Sequence, residues 1–189
     1  TNIVVNDAIT GENGTINIAS SSNGMTTFNN SVSGNTINLN QGTLKLGHYT
    51  SEKFGDSEGS FADDVDFVAN GGVLNLGDQK VSLKSAEFND GSTLAINVKS
   101  NGNGLLKAEN LTINGGQLKA SLGQGVVDMQ NKQKIVTLLE SGTEFVNKFA
   151  DVADNNMYRF EKAEKAGDYI ISLVKTAEDV SQENGGTQN

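Results

Sequence analysis

The residues of this chain that could bind a metal ion are concentrated in one acidic segment, 47–66. The segment holds six carboxylates, those of Glu52, Asp56, Glu58, Asp63, Asp64 and Asp66. Several carboxylates close together are what a hard cation such as Ca²⁺ requires, so a calcium site is one interpretation. A solvated acidic loop is the other, and it is favoured because neither EF-hand spacing nor a Gly-Gly-x-Gly-x-Asp repeat is present. We therefore predict no metal-binding residues and no cofactor.

Groups suited to catalysis are scarce in this chain. There is no cysteine, and His48 is the single histidine. A Ser–His–Asp triad would have to use His48, which stands beside Tyr49 in a polar stretch typical of a surface loop. The only arginine, Arg159, is remote from the acidic segment in sequence. We predict no catalytic residues and expect that the chain is not an enzyme.

The charge balance excludes two classes of partner. The formal net charge is −9 with an isoelectric point near 4.5, and the lysines are scattered. Nucleic acid and anionic membrane surfaces both require a cluster of basic residues, so neither is an expected partner. Because the chain begins with Thr1 and not with Met, we expect it to be a piece of a longer protein.

One sequence motif recurs along the chain: an apolar strand end, a corner with Asn and Gly, and a second strand. In 111–120, Leu111 and Ile113 alternate with polar residues, as do Leu118 and Ala120, which is typical of strands with one buried face. The corner between them begins at Asn114, since Asn and Gly tolerate a positive φ. Related copies occupy 39–46, 69–76 and 88–96.

These copies predict a solenoid, in which each coil covers the core of its neighbours. Superposing them stacks an inward row formed by Leu44, Leu74, Leu94 and Leu118. The corner asparagines, at positions 40, 70, 89 and 114, would stack about 4.8 Å apart, the spacing of neighbouring strands. They could form a hydrogen-bonded amide ladder, or each could merely relieve φ strain at its own turn.

Composition divides the chain into three parts. We predict coils over 1–128 with 47–66 as an inserted loop, a cap over 129–175 and a disordered linker over 176–189. Strands are expected at 3–5, 14–18, 135–139, 158–160 and 169–174, and a turn is expected at 101–104. Met25 and Phe28 are interpreted as isolated apolar residues.

The segment between the coils and the last two strands has two interpretations. Phe145, Phe149 and Val152 are spaced for a short helix, but they could equally be aromatic plugs in an irregular loop. The stretch 161–165 also has helical propensity.

The coils and the C-terminal part together resemble the passenger domains of bacterial autotransporters, which belong to type V secretion. The coil motif is shared by many β-helices. The more specific match is the series 135–139, Gly142, Tyr158, Asp168-Tyr169 and Leu173, which resembles the pertactin-like cap called the autochaperone region. The Trp frequent in the last strand of such caps is missing here. The resemblance implies an all-β, right-handed parallel β-helix with three arms per coil and a C-terminal β-rich cap.

The resemblance also implies a role. It suggests a surface-exposed stalk and folding nucleus that is exported across the outer membrane and is displayed on the bacterial surface or secreted. The expected partner is the protein's own translocator β-barrel. We expect this barrel to follow the linker in the parent protein.

Two alternatives remain open at this stage. One is an adhesin that binds a host surface protein or glycan, or that self-associates, through a β-helix face or the 47–66 loop. The other is a polysaccharide-lyase-like enzyme, since some parallel β-helices are lyases. Lyase chemistry needs calcium-binding acids and a basic residue on one face, whereas Arg159 lies in the expected cap. We therefore favour the stalk.

Overall fold

A computed structural model describes residues 2–47, 61, 64–99, 102–122, 134–141, 149, 151–152, 158–165 and 168–175. These residues form two sheets and contain no helix. In the part of the chain so described, no helix has the length and apolarity to cross a bilayer. The expectations for residues 48–60, for the 123–133 stretch and for the 176–189 linker fall outside the described residues.

The first sheet contains mostly short strands. In spatial order they are β1 (Asn2–Val5), β3 (Met25–Phe28), β5 (Thr43–Leu46), β7 (Val73–Gly77), β9 (Thr93–Lys99), β12 (Gln117–Leu122) and β14 (Asp151–Val152). Every neighbouring pair in this order is parallel, and each neighbour comes from the next coil. A further strand, β10 (Gly102–Asn103), pairs antiparallel with β9, so part of the stretch expected to be a turn, 101–104, is a short strand.

The second sheet contains most of the longer strands. Its order is β15 (Tyr158–Lys165), β16 (Asp168–Lys175), β13 (Lys134–Ser141), β11 (Leu105–Ile113), β8 (Lys80–Phe88), β6 (Asp66–Ala69), β4 (Val32–Gln41) and β2 (Ile9–Ala19). From β2 to β13 all pairs are parallel. The chain is therefore an all-β parallel solenoid, as predicted, while its handedness stays a prediction.

Two of the long strands each contain two arms. In β8 the buried positions alternate from Val81 to Leu83 and then resume at Ala86, so the alternation shifts by one residue. β11 shows the same shift between Ala108 and Leu111. A strand that keeps one side facing the core through such a shift must turn a corner there. Each of these coils thus has a third arm, as the resemblance implied.

The inward leucine row is confirmed. Leu44 pairs with Leu74, Leu74 with Leu94, and Leu94 with Leu118 in the parallel register. All four side chains are 0% exposed. In the preceding coil Thr26 pairs with Leu44 and is itself buried. Because Thr26 is polar, the sequence of β3 lacks the apolar alternation of a strand. The interpretation of Met25 and Phe28 as isolated apolar residues is therefore wrong.

A row of phenylalanines runs beside the leucines. The ring centroids of Phe61 and Phe67 are 5.9 Å apart, those of Phe67 and Phe88 are 5.9 Å apart, and those of Phe88 and Phe149 are 5.3 Å apart. All four rings are buried. Phe149 thus extends the core as an aromatic plug, and it is not in a helix. Phe145 lies outside the described residues.

Two residues within the expected inserted loop, 47–66, are part of the core. Phe61 forms an isolated parallel bridge with Val32, and both it and Val65 are 0% exposed. The bounds of the loop stay a prediction, since residues 48–60 lie outside the described part of the chain.

The C-terminal end of the second sheet changes direction. β13 pairs parallel with β11 on one side and antiparallel with β16 on the other, and β16 pairs antiparallel with β15. The strands expected at 135–139, 158–160 and 169–174 are confirmed. The helical propensity of 161–165 is overridden, because β15 continues through Lys165 in register with β16. Strand pairing routinely outweighs propensities of a few tenths of a kcal/mol.

The burial pattern yields a stability prediction for one inward and one outward neighbour. Leu118→Ala should lower the free energy of unfolding by about 2–5 kcal/mol, since it leaves a cavity in a fully buried row. Lys119→Ala, at the adjacent exposed position, should change it by less than about 0.5 kcal/mol. Denaturant titration of the two variants checks this. Equal losses would show that the two faces of β12 are assigned wrongly.

Candidate functional site

At the corners between the two sheets, glycine and asparagine have different roles. A positive φ is held at each corner by a glycine: Gly42 (87°), Gly72 (69°), Gly91 (85°) and Gly116 (91°). Among the described residues other than glycine, Asn13 alone has a positive φ. The corner asparagines therefore do not relieve φ strain at their own turns, and that alternative is wrong.

The corner asparagines instead form an amide ladder along the solenoid. Asn70 Nδ2 donates to Asn40 Oδ1 (3.0 Å), Asn89 Nδ2 to Asn70 Oδ1 (3.1 Å) and Asn114 Nδ2 to Asn89 Oδ1 (2.9 Å). Each bond joins one coil to the preceding coil, and all run in the same direction. The predicted ladder is confirmed, and it adds side-chain pairing to the backbone pairing of the strands.

Shorter versions of this contact occur in the first coils. Asn38 Nδ2 donates to Asn17 Oδ1 and Asn29 Nδ2 to Asn6 Oδ1, both at 2.9 Å. The recurring corner motif does not include these four residues, so the motif did not predict their hydrogen bonds. The only sequence signal for them is the abundance of asparagine.

The structure places only part of the acidic segment. Asp64 Oδ1 accepts a hydrogen bond from the backbone N–H of Gly34 at 3.0 Å, and Asp66 Oδ1 accepts one from Ser85 Oγ at 2.5 Å. These two carboxylates tie the returning chain to the preceding and following coils. Glu52, Asp56, Glu58, Asp63 and His48 lie outside the described residues, and Arg159 is in β15.

The described residues do not include a metal-binding cluster. Among them no group of three or more His, Cys, Asp or Glu side chains is arranged to hold a metal ion. Asp64 and Asp66 are instead used, through one oxygen each, in contacts within the chain. This part of the structure therefore gives no support to the calcium interpretation.

A polar groove lies where these two carboxylates meet the first coils. It has a volume of about 370 Å³ and is lined by Gly11, Glu12, Asn13, Gly34, Asn35, Thr36, Asp64, Asp66 and Lys84. The register of β2 against β4 shifts between Thr10 and Gly14, so extra residues of β2 project there. Such bulges often occur beside functional sites. Sequence reasoning missed this groove, because its walls come from four different coils.

Comparison of the sequence with models of known protein families and with curated proteins finds no match. Assignment of a function therefore depends on the fold and on these two features, the amide ladder and the polar groove.

The ladder predicts a difference between interior and terminal asparagines. Asn70 makes two ladder bonds, whereas Asn40 makes one. At about 1 kcal/mol per net hydrogen bond, Asn70→Ala should lower the free energy of unfolding about twice as much as Asn40→Ala. Equilibrium denaturation measures both values. A cost for Asn70→Ala no larger than that for Asn40→Ala would show that the ladder adds nothing to stability.

Two corner glycines with similar backbone angles predict a second difference. A Cβ on Gly72 would overlap the carbonyl oxygen of Gly42, whereas a Cβ on Gly91 would meet nothing within 4 Å. Gly91→Ala should therefore cost only the left-handed backbone penalty of about 1–2 kcal/mol.

Gly72→Ala should cost clearly more than Gly91→Ala, since the neighbouring coil must also move. Thermal denaturation of both variants checks the order. Equal costs would mean that the coils are not packed this closely at the corner.

Proposed function

We propose that this chain is the stalk and folding-nucleus region of an autotransporter passenger. In this proposal it is exported across the outer membrane of a bacterium with a translocator β-barrel as partner. It is then displayed on the cell surface or released. The proposal combines the resemblance of the sequence with a feature of the fold, the antiparallel strands at the C-terminal end of the second sheet.

The observation that carries the proposal is the closure at the C-terminal end. There, the edge of the last parallel strand is covered by an antiparallel pair, since β13 binds β16 and β16 binds β15. At the other end, β1 and β2 each pair in parallel with a strand of the next coil. The C-terminal end of the second sheet is thus closed by strands that run in the opposite direction.

This closure suits folding that starts at the cap. An antiparallel pair joined by a short connection forms through local contacts, which are quick to find. Once formed, it offers β13 as an edge on which the preceding coil can pair, and every later coil contacts mainly its neighbour. A chain that leaves a pore with its C-terminus first would make the cap available before the coils.

The same closure suits a stalk. The outermost strand of this end, β15, has charged side chains at five of its eight positions, and charges on an edge strand oppose edge-to-edge aggregation. The core of the solenoid is a row of leucine side chains beside a row of phenylalanine rings. These rows stabilise each coil against its neighbours without a large globular core. Asp64 and Asp66, the described carboxylates of the acidic segment, serve contacts within the chain, which favours a structural role over the lyase alternative.

Proline substitutions in the full chain test the nucleation step. Thr137→Pro removes a backbone N–H from β13 where it pairs with Ile170 of β16, and should slow refolding by about tenfold. Val4→Pro makes the same change in β1, at the N-terminal end, and should mainly speed unfolding, with refolding changed by less than about twofold. Stopped-flow refolding measures both rates. If the two variants refold equally fast, nucleation at the cap is wrong.

Display on a cell tests the biological part of the proposal. The chain is fused to an autotransporter translocator barrel in a bacterial host, and protease-resistant passenger on the surface is quantified. Deleting 135–175 should reduce it about tenfold, because the coils then lack a template. Deleting 2–24, which removes β1 and β2 from the other end, is the control and should leave display within about twofold. Equal reductions would contradict the proposal.

A further inference from the structure

A smaller polar pocket lies on the first sheet, near the C-terminal ends of β5 and β7. It has a volume of about 220 Å³, and its lining includes Lys45, Asn75, Asp78, Gln79 and Asn97. We call it the Gln79 pocket. These five residues belong neither to the amide ladder nor to the inward rows, so the stalk role does not account for them.

A bulge in β7 forms one wall of the Gln79 pocket. The register of β7 against β9 shifts between Asn75 and Gly77, and Gly77 has a φ of 59°. The backbone N–H of Gly77 donates to Asn75 Oδ1 at 3.0 Å. In the turn that follows, the Gln79 N–H donates to the Leu76 carbonyl oxygen at 3.1 Å, and the Gln79 carbonyl oxygen accepts from Leu105 N–H at 3.2 Å. Bulges of this kind often occur beside functional sites.

Gln79 carries an acceptor that the chain does not satisfy. Its Nε2 donates to the Leu46 carbonyl oxygen at 2.6 Å, which fixes the orientation of the side-chain amide. Among the buried side-chain nitrogen and oxygen atoms of the described residues, Gln79 Oε1 alone has no hydrogen-bond partner. A buried acceptor without a partner costs free energy, and most such atoms are paired. A donor group that enters the pocket would supply the missing hydrogen bond.

The other side of the pocket supplies donors. Lys45 is exposed and pairs with Asn75 in the register of β5 and β7, so the two side chains leave the sheet about 4.8 Å apart. Because Asn75 Oδ1 is engaged at Gly77, the amide of Asn75 presents its Nδ2 hydrogens. Lys45 adds a positive charge, and Asp78 adds a negative charge.

This combination of groups discriminates between ligand classes. A simple anion finds donors at Lys45 and Asn75, but it leaves Gln79 Oε1 unpaired and meets the charge of Asp78. A simple cation meets the Lys45 ammonium group, and the described residues hold no group of three side chains suited to a metal ion. A small molecule that carries both a carboxylate and an ammonium group matches the acceptors and the donors together.

We propose that the Gln79 pocket binds a free α-amino acid. The carboxylate of the ligand accepts hydrogen bonds from Lys45 Nζ and Asn75 Nδ2, and its ammonium group donates to Gln79 Oε1. A volume of about 220 Å³ is below the roughly 300–1,000 Å³ of pockets for drug-sized ligands. It corresponds to about seven water molecules at roughly 30 Å³ each, which suits a ligand of amino-acid size.

The test uses the full chain and two sets of probes. Glycine, L-alanine, L-serine and L-glutamine carry both charged groups, whereas acetate and methylammonium carry one each. Amide chemical shifts are followed while each probe is titrated to about 50 mM, which detects dissociation constants on the order of 1–10 mM. At least one amino acid should shift the amides of Gly77, Asp78 and Gln79. It should bind about tenfold more tightly than either single-charge probe, which lacks one charged hydrogen bond.

Three variants assign the contacts. Lys45→Met keeps the apolar stem without the ammonium group and should weaken amino-acid binding about tenfold. Lys119→Met makes the same change at an exposed position of β12 outside the pocket and should leave binding unchanged. Gln79→Leu removes the acceptor. Because it also removes the bond to Leu46, the readout is the ratio of amino-acid to acetate affinity, which should fall to about one.

The proposal is overturned if no amino acid shifts these amides, since water would then be the partner of Gln79 Oε1. It is also overturned if acetate binds as tightly as the amino acids, which would make the pocket a simple anion site. Equal weakening by Lys45→Met and Lys119→Met would place the binding elsewhere and would overturn it as well.

Discussion

Parallel pairing at a nearly constant register is the constraint on which this structure depends. Because each strand bonds to its counterpart in the next coil, equivalent residues lie directly above one another, one strand spacing apart. The leucine row and the amide ladder both follow from this register. A slip of one residue would turn Leu74 and Leu94 outward and would separate Asn70 from Asn89. Each row therefore specifies the register that the other requires.

The corners show how two residue types share one task. Glycine supplies the backbone conformation and the close approach between coils, as at Gly72 beside Gly42. Asparagine supplies an amide side chain that is both donor and acceptor. Each amide in a stack can therefore donate to one neighbour and accept from the other, however many coils follow. A carboxylate in the same position could accept but not donate, and stacked carboxylates would repel each other. This explains why the ladder is built from amides in an acidic chain.

The features that distinguish this solenoid from a regular repeat occur at three interruptions of the coils. The returning insertion contributes Phe61 to the core and Asp64 to the corner contact with Gly34. The bulge in β2 lets Glu12 and Asn13 project beside them. Together these departures form a polar groove on an otherwise repetitive surface. The antiparallel strands β15 and β16 are a third departure, and they cover one end. Function in a repeat protein is expected at such irregular places.

The amino-acid sequence by itself determined the solenoid class, the corner positions, the inward row from Leu44 to Leu118 and the strands of the cap. These follow from period-two alternation and turn residues, which are local signals. Only the tertiary structure decided that the asparagines bond to each other, that Thr26 occupies a leucine position, that Phe61 is in the core and that a groove exists. Each of these depends on the register between residues about 20 or more positions apart. Local patterns do not encode that register.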